Sequence, residues 1–136
     1  MRFVSVIGIL AIASVLTSAC ASPTAPGGPI DARIVLSPGQ TSPIEGVASS
    51  IRFQGVLGDS RCPADAICIQ GGDALVRIDM IPSFGAVSTY DLHTGSLQPV
   101  RHDDLTIELV ELSPYPFGSL PPIGPSDYRA TLRVTR

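Results

Sequence analysis

The segment Tyr128-Arg129-Ala130-Thr131-Leu132-Arg133-Val134-Thr135 alternates without a break, with Tyr128, Ala130, Leu132 and Val134 on one side and Arg129, Thr131, Arg133 and Thr135 on the other. Successive side chains of a strand point to opposite faces, so this is the pattern of a β-strand with one face in a core and the other in water. Ala74-Leu75-Val76-Arg77-Ile78-Asp79-Met80 repeats it, with Ala74, Val76, Ile78 and Met80 inward. Ile51, Phe53 and Leu57 form the inner face of a third strand, and Gly55 within it marks a bulge or a close backbone approach. In Leu105-Thr106-Ile107-Glu108-Leu109-Val110-Glu111-Leu112 the inward set Leu105, Ile107 and Leu109 changes phase to Val110 and Leu112. A β-bulge at Leu109 or Val110 restores the register. Weaker patterns cover residues 33–37 and 87–92.

No stretch sustains the three-to-four-residue spacing of an amphipathic helix. Short strands separated by clusters of Pro, Gly, Asp and Ser predict an all-β domain over residues 31–136. The expected form is a small antiparallel β-sandwich of immunoglobulin-like type, or a barrel, with about six or seven strands. Asp127-Tyr128-Arg129-Ala130 resembles the tyrosine corner of immunoglobulin domains.

The chain begins Met1-Arg2, continues in an apolar run from Phe3 to Leu16 broken only by Ser and Gly, and reaches Thr17-Ser18-Ala19-Cys20. A basic start, an apolar segment too short for a stable span and small residues at the cut predict a secretory signal over residues 1–19. Ser18-Ala19-Cys20 resembles the lipobox of bacterial lipoproteins. The resemblance implies that Cys20 is acylated and becomes the mature N-terminus, that the membrane is engaged through this lipid, and that the protein belongs to the bacterial cell envelope. Ala21, rather than Asp, after the cysteine points within that family to the outer membrane. An ordinary signal peptide cut after Ala19 or Ala21 is the alternative. Residues 20–30 then hold the lipidated cysteine and a Pro/Gly-rich tether, Ala21-Ser22-Pro23-Thr24-Ala25-Pro26-Gly27-Gly28-Pro29.

The chain has three cysteines. With Cys20 assigned to lipid by the resemblance, Cys62 and Cys68 remain as an even pair in an oxidising compartment, and a local disulfide is expected. The surrounding run Phe53 to Asp79, FQGVLGDSRCPADAICIQGGDALVRID, resembles a family of uncharacterised bacterial secreted proteins and lipoproteins with an Asp-Ser-Arg-Cys-Pro motif and five residues between the cysteines. Asp59, Ser60, Arg61, Cys62, Pro63, Cys68, Gly72 and Ala74 match, while Gln70 stands at the family's Trp and Asp73 at its Glu. The ending SPYPFGSLPPIGPSDYRATLRV is also similar. The resemblance implies a small β domain and brings no established activity.

The same residues have a structural reading. Asp59 and Ser60 favour turns, Arg61 can pair with a nearby carboxylate, Pro63 fixes φ, and Gly71-Gly72 allows a tight return into the Ala74 strand. Zinc on Cys62, Cys68, His93 and His102 would need an unusually wide cysteine spacing. Calcium on Asp59, Asp65 and Asp73 would lack EF-hand spacing, and a redox pair would lack the Cys-X-X-Cys form. No metal and no cofactor is therefore expected. His102-Asp103-Asp104 is the one place where a base adjoins carboxylates, and it reads as a polar turn into the Leu105 strand. Nine basic residues, all arginine, against twelve acidic ones give a net charge of −3. With no basic run, nucleic acid is not an expected partner.

The functional expectation is a noncatalytic envelope lipoprotein whose β domain binds another envelope or extracellular component, or has a structural role. Arg61, Gln70, Asp73, Tyr115 and Phe117 are the candidate binding surface. The alternatives are an inhibitor or protective factor presenting the Cys62–Cys68 loop, and a hydrolase or metal-dependent enzyme built around His93 and His102. Residues 113–125 carry five prolines together with Tyr115, Phe117, Leu120 and Ile123. They either fold back as a lid that buries the aromatics or stay out as a contact surface.

Overall fold

The structure is a computed structural model that describes residues 28–96 and 98–136. The signal segment, Cys20 and most of the tether lie outside the described residues. Among the described residues eight strands form: β1 (Asp31–Leu36), β2 (Thr41–Pro43), β3 (Ser49–Asp59), β4 (Ala74–Pro82), β5 (Ser88–His93), β6 (Val100–His102), β7 (Leu105–Ser113) and β8 (Arg129–Thr135). They make two antiparallel four-stranded sheets, ordered β1-β8-β7-β6 and β2-β3-β4-β5. The all-β expectation holds, with eight strands rather than six or seven. The two extra strands, β2 and β6, have three residues each, too few to show alternation.

The strands run up and down in sequence. Each sheet is a meander, β1 closes onto β8, and neither sheet has the Greek-key crossing of an immunoglobulin domain. The arrangement is an eight-stranded barrel opened along the β1/β2 and β5/β6 seams into two layers.

The layers share one core. Leu36, Ile51, Phe53, Val76, Ile78, Met80, Ile107, Leu132 and Val134 are fully buried in it, and Tyr128 nearly so. Apart from Leu36 of β1, these come from the inward sets of the β3, β4, β7 and β8 patterns, so alternation located most of the core. Two bulges alter the reading of β3. The register with β4 shifts between Phe53 and Gly55 and again between Val56 and Gly58. Gly55 is thus a bulge point, and the extra residues turn Val56 toward the core while Leu57, expected inside, is 51 % exposed. In β7 the register with β8 shifts between Leu109 and Glu111, which leaves Val110 as the bulged residue. Val110 faces solvent and Leu112 returns to the core.

The outward face of β4 holds one exception to the alternation. Asp79 is 1 % exposed because its neighbours across the sheet close over it. Arg52 pairs with it from β3, Gln54 Nε2 donates at 2.6 Å and Thr89 Oγ1 donates from β5 at 2.7 Å.

The two ends of the barrel differ. At one end the chain enters at Ile30, whose carbonyl accepts from Arg136 N at 3.0 Å, and the β2–β3, β4–β5 and β6–β7 turns lie there. A Cβ built on Gly46, in the β2–β3 turn, would touch the Ile30 side chain. The opposite end carries the 60–73 and 114–128 loops.

Candidate functional site

Cys62 and Cys68 are disulfide-bonded, with Cα atoms 6.0 Å apart. The base of the stapled loop continues the β3–β4 pairing: Ser60 N donates to Asp73 O at 2.7 Å and Cys62 N to Gly71 O at 2.9 Å. Gly72 makes this possible. Its φ is +66°, and a Cβ there would lie 1.7 Å from the Ser60 carbonyl oxygen. Only glycine meets both conditions.

Arg61, expected on a binding surface, points inward instead and is 8 % exposed. Its Nε and Nη2 donate to the two oxygens of Asp59 at 2.8 and 2.6 Å, the forked geometry that suits guanidinium to carboxylate. Its Nη1 donates to Leu112 O at 2.7 Å, and Nη2 also to Pro114 O at 3.0 Å. The Tyr115 ring covers its guanidinium at 5.0 Å, and Tyr128 OH donates to Asp59 Oδ2 at 3.0 Å. Burial alone would raise the Asp59 pKa, but the Arg61 and Tyr128 hydrogen bonds outweigh it and hold the carboxyl below the usual range. Burial, with the same Asp59 contact, pushes the Tyr128 hydroxyl up. The tyrosine-corner residue therefore bonds a carboxylate from the other sheet rather than nearby backbone.

A second tie joins the two loops. The Asp65 carboxylate accepts from Gly118 N at 2.5 Å and Ser119 N at 2.9 Å, while Ala64 N donates to Pro116 O at 2.9 Å. Bonds from Ser119 and Gly118 hold the Asp65 pKa at about 2. The 113–125 segment thus folds back onto the stapled loop, as a lid would. Its aromatics are not buried by this: Tyr115 is 49 % and Phe117 44 % exposed. The loop is docked through its backbone, and its apolar side chains remain at the surface. Phe117 and Ile123 line a cavity of about 400 Å³ with Pro63, Pro116, Pro121 and Tyr128, and Asp59 and Arg61 also border it. On the stapled loop Ile67 and Ile69, which flank Cys68, are fully exposed.

Gln70 lies exposed on the return of the stapled loop. Asp73 is turned toward the β5–β6 connection, where His93 Nδ1 lies 2.5 Å away and Thr94 Oγ1 and Gly95 N donate at 3.0 and 2.7 Å. Burial opposes ionisation of Asp73, and these bonds overcome it to place the pKa at about 2. Asp59, Asp65 and Asp73 therefore have three separate partner sets and do not form the calcium cluster considered from sequence.

The zinc set does not assemble either, since Cys62 and Cys68 bond each other. His102 Nδ1 meets Tyr90 OH at 2.9 Å. Tyr90 precedes His93 by three residues on β5, about 10 Å along a strand, so the two histidines have different partners in different halves of the barrel. Asp103, at φ 53°, makes the tight β6–β7 turn read from His102-Asp103-Asp104. Among the described residues no group of three or more His, Cys, Asp or Glu side chains gathers at one point.

Sequence reasoning weighed Asp65 only as a calcium ligand and missed its tie to the proline-rich loop, and it did not single out Ile67 and Ile69. The tie itself gave no signal, because the partners of Asp65 lie more than fifty residues away. Two isoleucines inside a Pro-, Asp- and Ala-rich loop are themselves the signal for the other two. Compared with family models, curated proteins and solved structures, the chain matches none.

Proposed function

We propose that the chain is a lipid-anchored bacterial envelope protein whose β domain is a noncatalytic binding module, with its stapled and proline-rich loops as the contact surface for another envelope or extracellular protein. The observation that supports this reading is a combination of rigidity and apolar exposure at one end of the domain. Two loops locked together by Arg61 and Asp65 hold Ile67, Ile69, Tyr115, Phe117 and Leu120 in water, outside a core that is already complete. Apolar groups on a prefixed scaffold lose little freedom on docking, which favours association. The Asp59–Arg61 pair beside the cavity is mutually neutralised and offers no unpaired base or nucleophile.

The full exposure of Ile67 and Ile69 also supports the inhibitor reading, in which the stapled tip alone enters a partner's cleft. Site-specific photocrosslinkers at Ile67 and Leu120 in intact cells separate the two. Crosslinks to one protein from both positions support the shared surface, and crosslinks from Ile67 alone support the inserted tip. Crosslinking only from residues on the sheets would overturn both. The anchor is checked by the intact mass of membrane-extracted protein, expected to begin at an acylated Cys20.

A further inference from the structure

We propose that the β4–β5 turn is a second membrane contact, in which Phe84 enters the headgroup region of the bilayer that holds the N-terminus. This rests on the anchored reading above. Phe84 is 95 % exposed and Val87, on the same turn, 51 %. An aromatic ring standing in water at a turn tip contributes nothing to the core, whereas Phe, like Trp and Leu, buries favourably at the boundary between headgroups and acyl chains. The turn is held in place: Ser83 donates to Ala48 O through both N, at 2.8 Å, and Oγ, at 2.9 Å. The start of the turn is thereby tied to the β2–β3 turn, and Phe84 follows it almost wholly in solvent.

The position of the chain entry selects lipid as the occupant. Ile30 enters at the same end as this turn. Nine residues, hence ten residue-to-residue steps, separate Cys20 from Ile30, and any such segment spans at most about 35 Å. The eleven residues of β3 alone run about 36 Å from the entry end toward the loop end. An anchored Cys20 therefore reaches the bilayer easily beside the β4–β5 turn. Bringing the stapled loop to the same bilayer would need the segment fully stretched along the barrel. The entry end carries Glu45, Asp103 and Asp104 together with Arg101, Arg133 and Arg136, of which Arg133 pairs with Asp31 and Arg136 with Asp104. The charges are mixed, with no basic cluster among the described residues to call for anionic lipid, so a zwitterionic surface is the fitting probe.

The chain contains no tryptophan, so Phe84→Trp supplies a single fluorescent reporter at an exposed position, and Ile67→Trp supplies one at the opposite end. Each mature, full-length variant is reconstituted on vesicles of zwitterionic lipid with brominated acyl chains, and flotation first reports anchoring. The expected result is flotation of both, with a blue shift and loss of emission for Phe84→Trp and neither change for Ile67→Trp. If both float and Phe84→Trp keeps its aqueous emission, or both are quenched alike, the turn contact is wrong while the anchor stands. If neither floats, the anchored reading fails and takes the turn contact with it.

Discussion

Arg61→Met should lower the melting temperature by about 15 °C. Arg61 is 8 % exposed, and its guanidinium donates four hydrogen bonds, two to Asp59 and two to the carbonyls of Leu112 and Pro114. Methionine fills much of the volume but leaves Asp59 with only Tyr128 OH and the Arg61 backbone N–H. Removing one partner of a buried pair costs about 3–5 kcal/mol, and the lower figure applies because the site borders a cavity from which water can reach the bared carboxylate. An unfolding entropy of about 0.2 kcal/mol/K for a domain of about 100 residues converts about 3 kcal/mol into about 15 °C. Arg61→Lys should lose most of the same stability, since an ammonium keeps the charge but cannot fork to the carboxylate and reach two carbonyls together. Thermal unfolding followed by circular dichroism measures both variants, and Arg61→Met with Asp59→Leu closes a double-mutant cycle. The double variant should be more stable than the sum of the single losses predicts. A drop below about 4 °C for Arg61→Met, about 1 kcal/mol at this domain size, would refute a buried latch and return Arg61 to the exposed surface.

Gly72→Ala should destabilise the domain by about 3 kcal/mol or more in denaturant titration, because a methyl group meets the Ser60 carbonyl at a left-handed φ; wild-type stability would show that the 60–73 base is not paired as described. Replacing Cys62 and Cys68 together with Ser should cost about 2 kcal/mol in the same titration, the value for closing so short a loop, and alkylation without reductant should label neither native cysteine. Acid should weaken the fold only at low pH. Asp59, Asp65, Asp73 and Asp79 all have folded pKa values below their unfolded ones, about 2 for Asp65 and Asp73. The unfolded chain thus takes up protons first as pH falls, and the stabilisation is whole above about pH 4 and lost on the way down through about pH 2. A melting temperature that already falls steeply between about pH 6 and pH 5 would contradict those carboxylate environments.

Alternation located most of the core because β4 and β8 have one face in the core and the other outward, which is the condition under which a period of two is readable. It failed at Leu57 because two irregularities in eleven residues reset the phase, and only the one at Gly55 left a trace in the sequence. The partnership of Asp59 with Arg61 was within reach because only Ser60 separates them. Its burial was not, because the cover comes from Leu112, Pro114 and Tyr115, about fifty residues on. Asp79 shows the same limit. A charged residue at an outward position reads as solvated until Arg52, Gln54 and Thr89 are known to close over it from neighbouring strands.

The pairing of β1 with β8 joins residues about a hundred positions apart, Asp31 to Thr135 and Leu36 to Ala130, and so sets the order in which the molecule can be completed. The β2–β5 meander is local and can form as soon as its own residues are present. The other sheet cannot, because β1 has no ladder partner until the last strand has emerged, and Ala130, Leu132 and Val134 then fill the core in the same step. A chain delivered N-terminus first thus remains half-built to its final residues, with its slowest contact last. Until that strand arrives, the early-formed β2–β5 sheet keeps its apolar face uncovered.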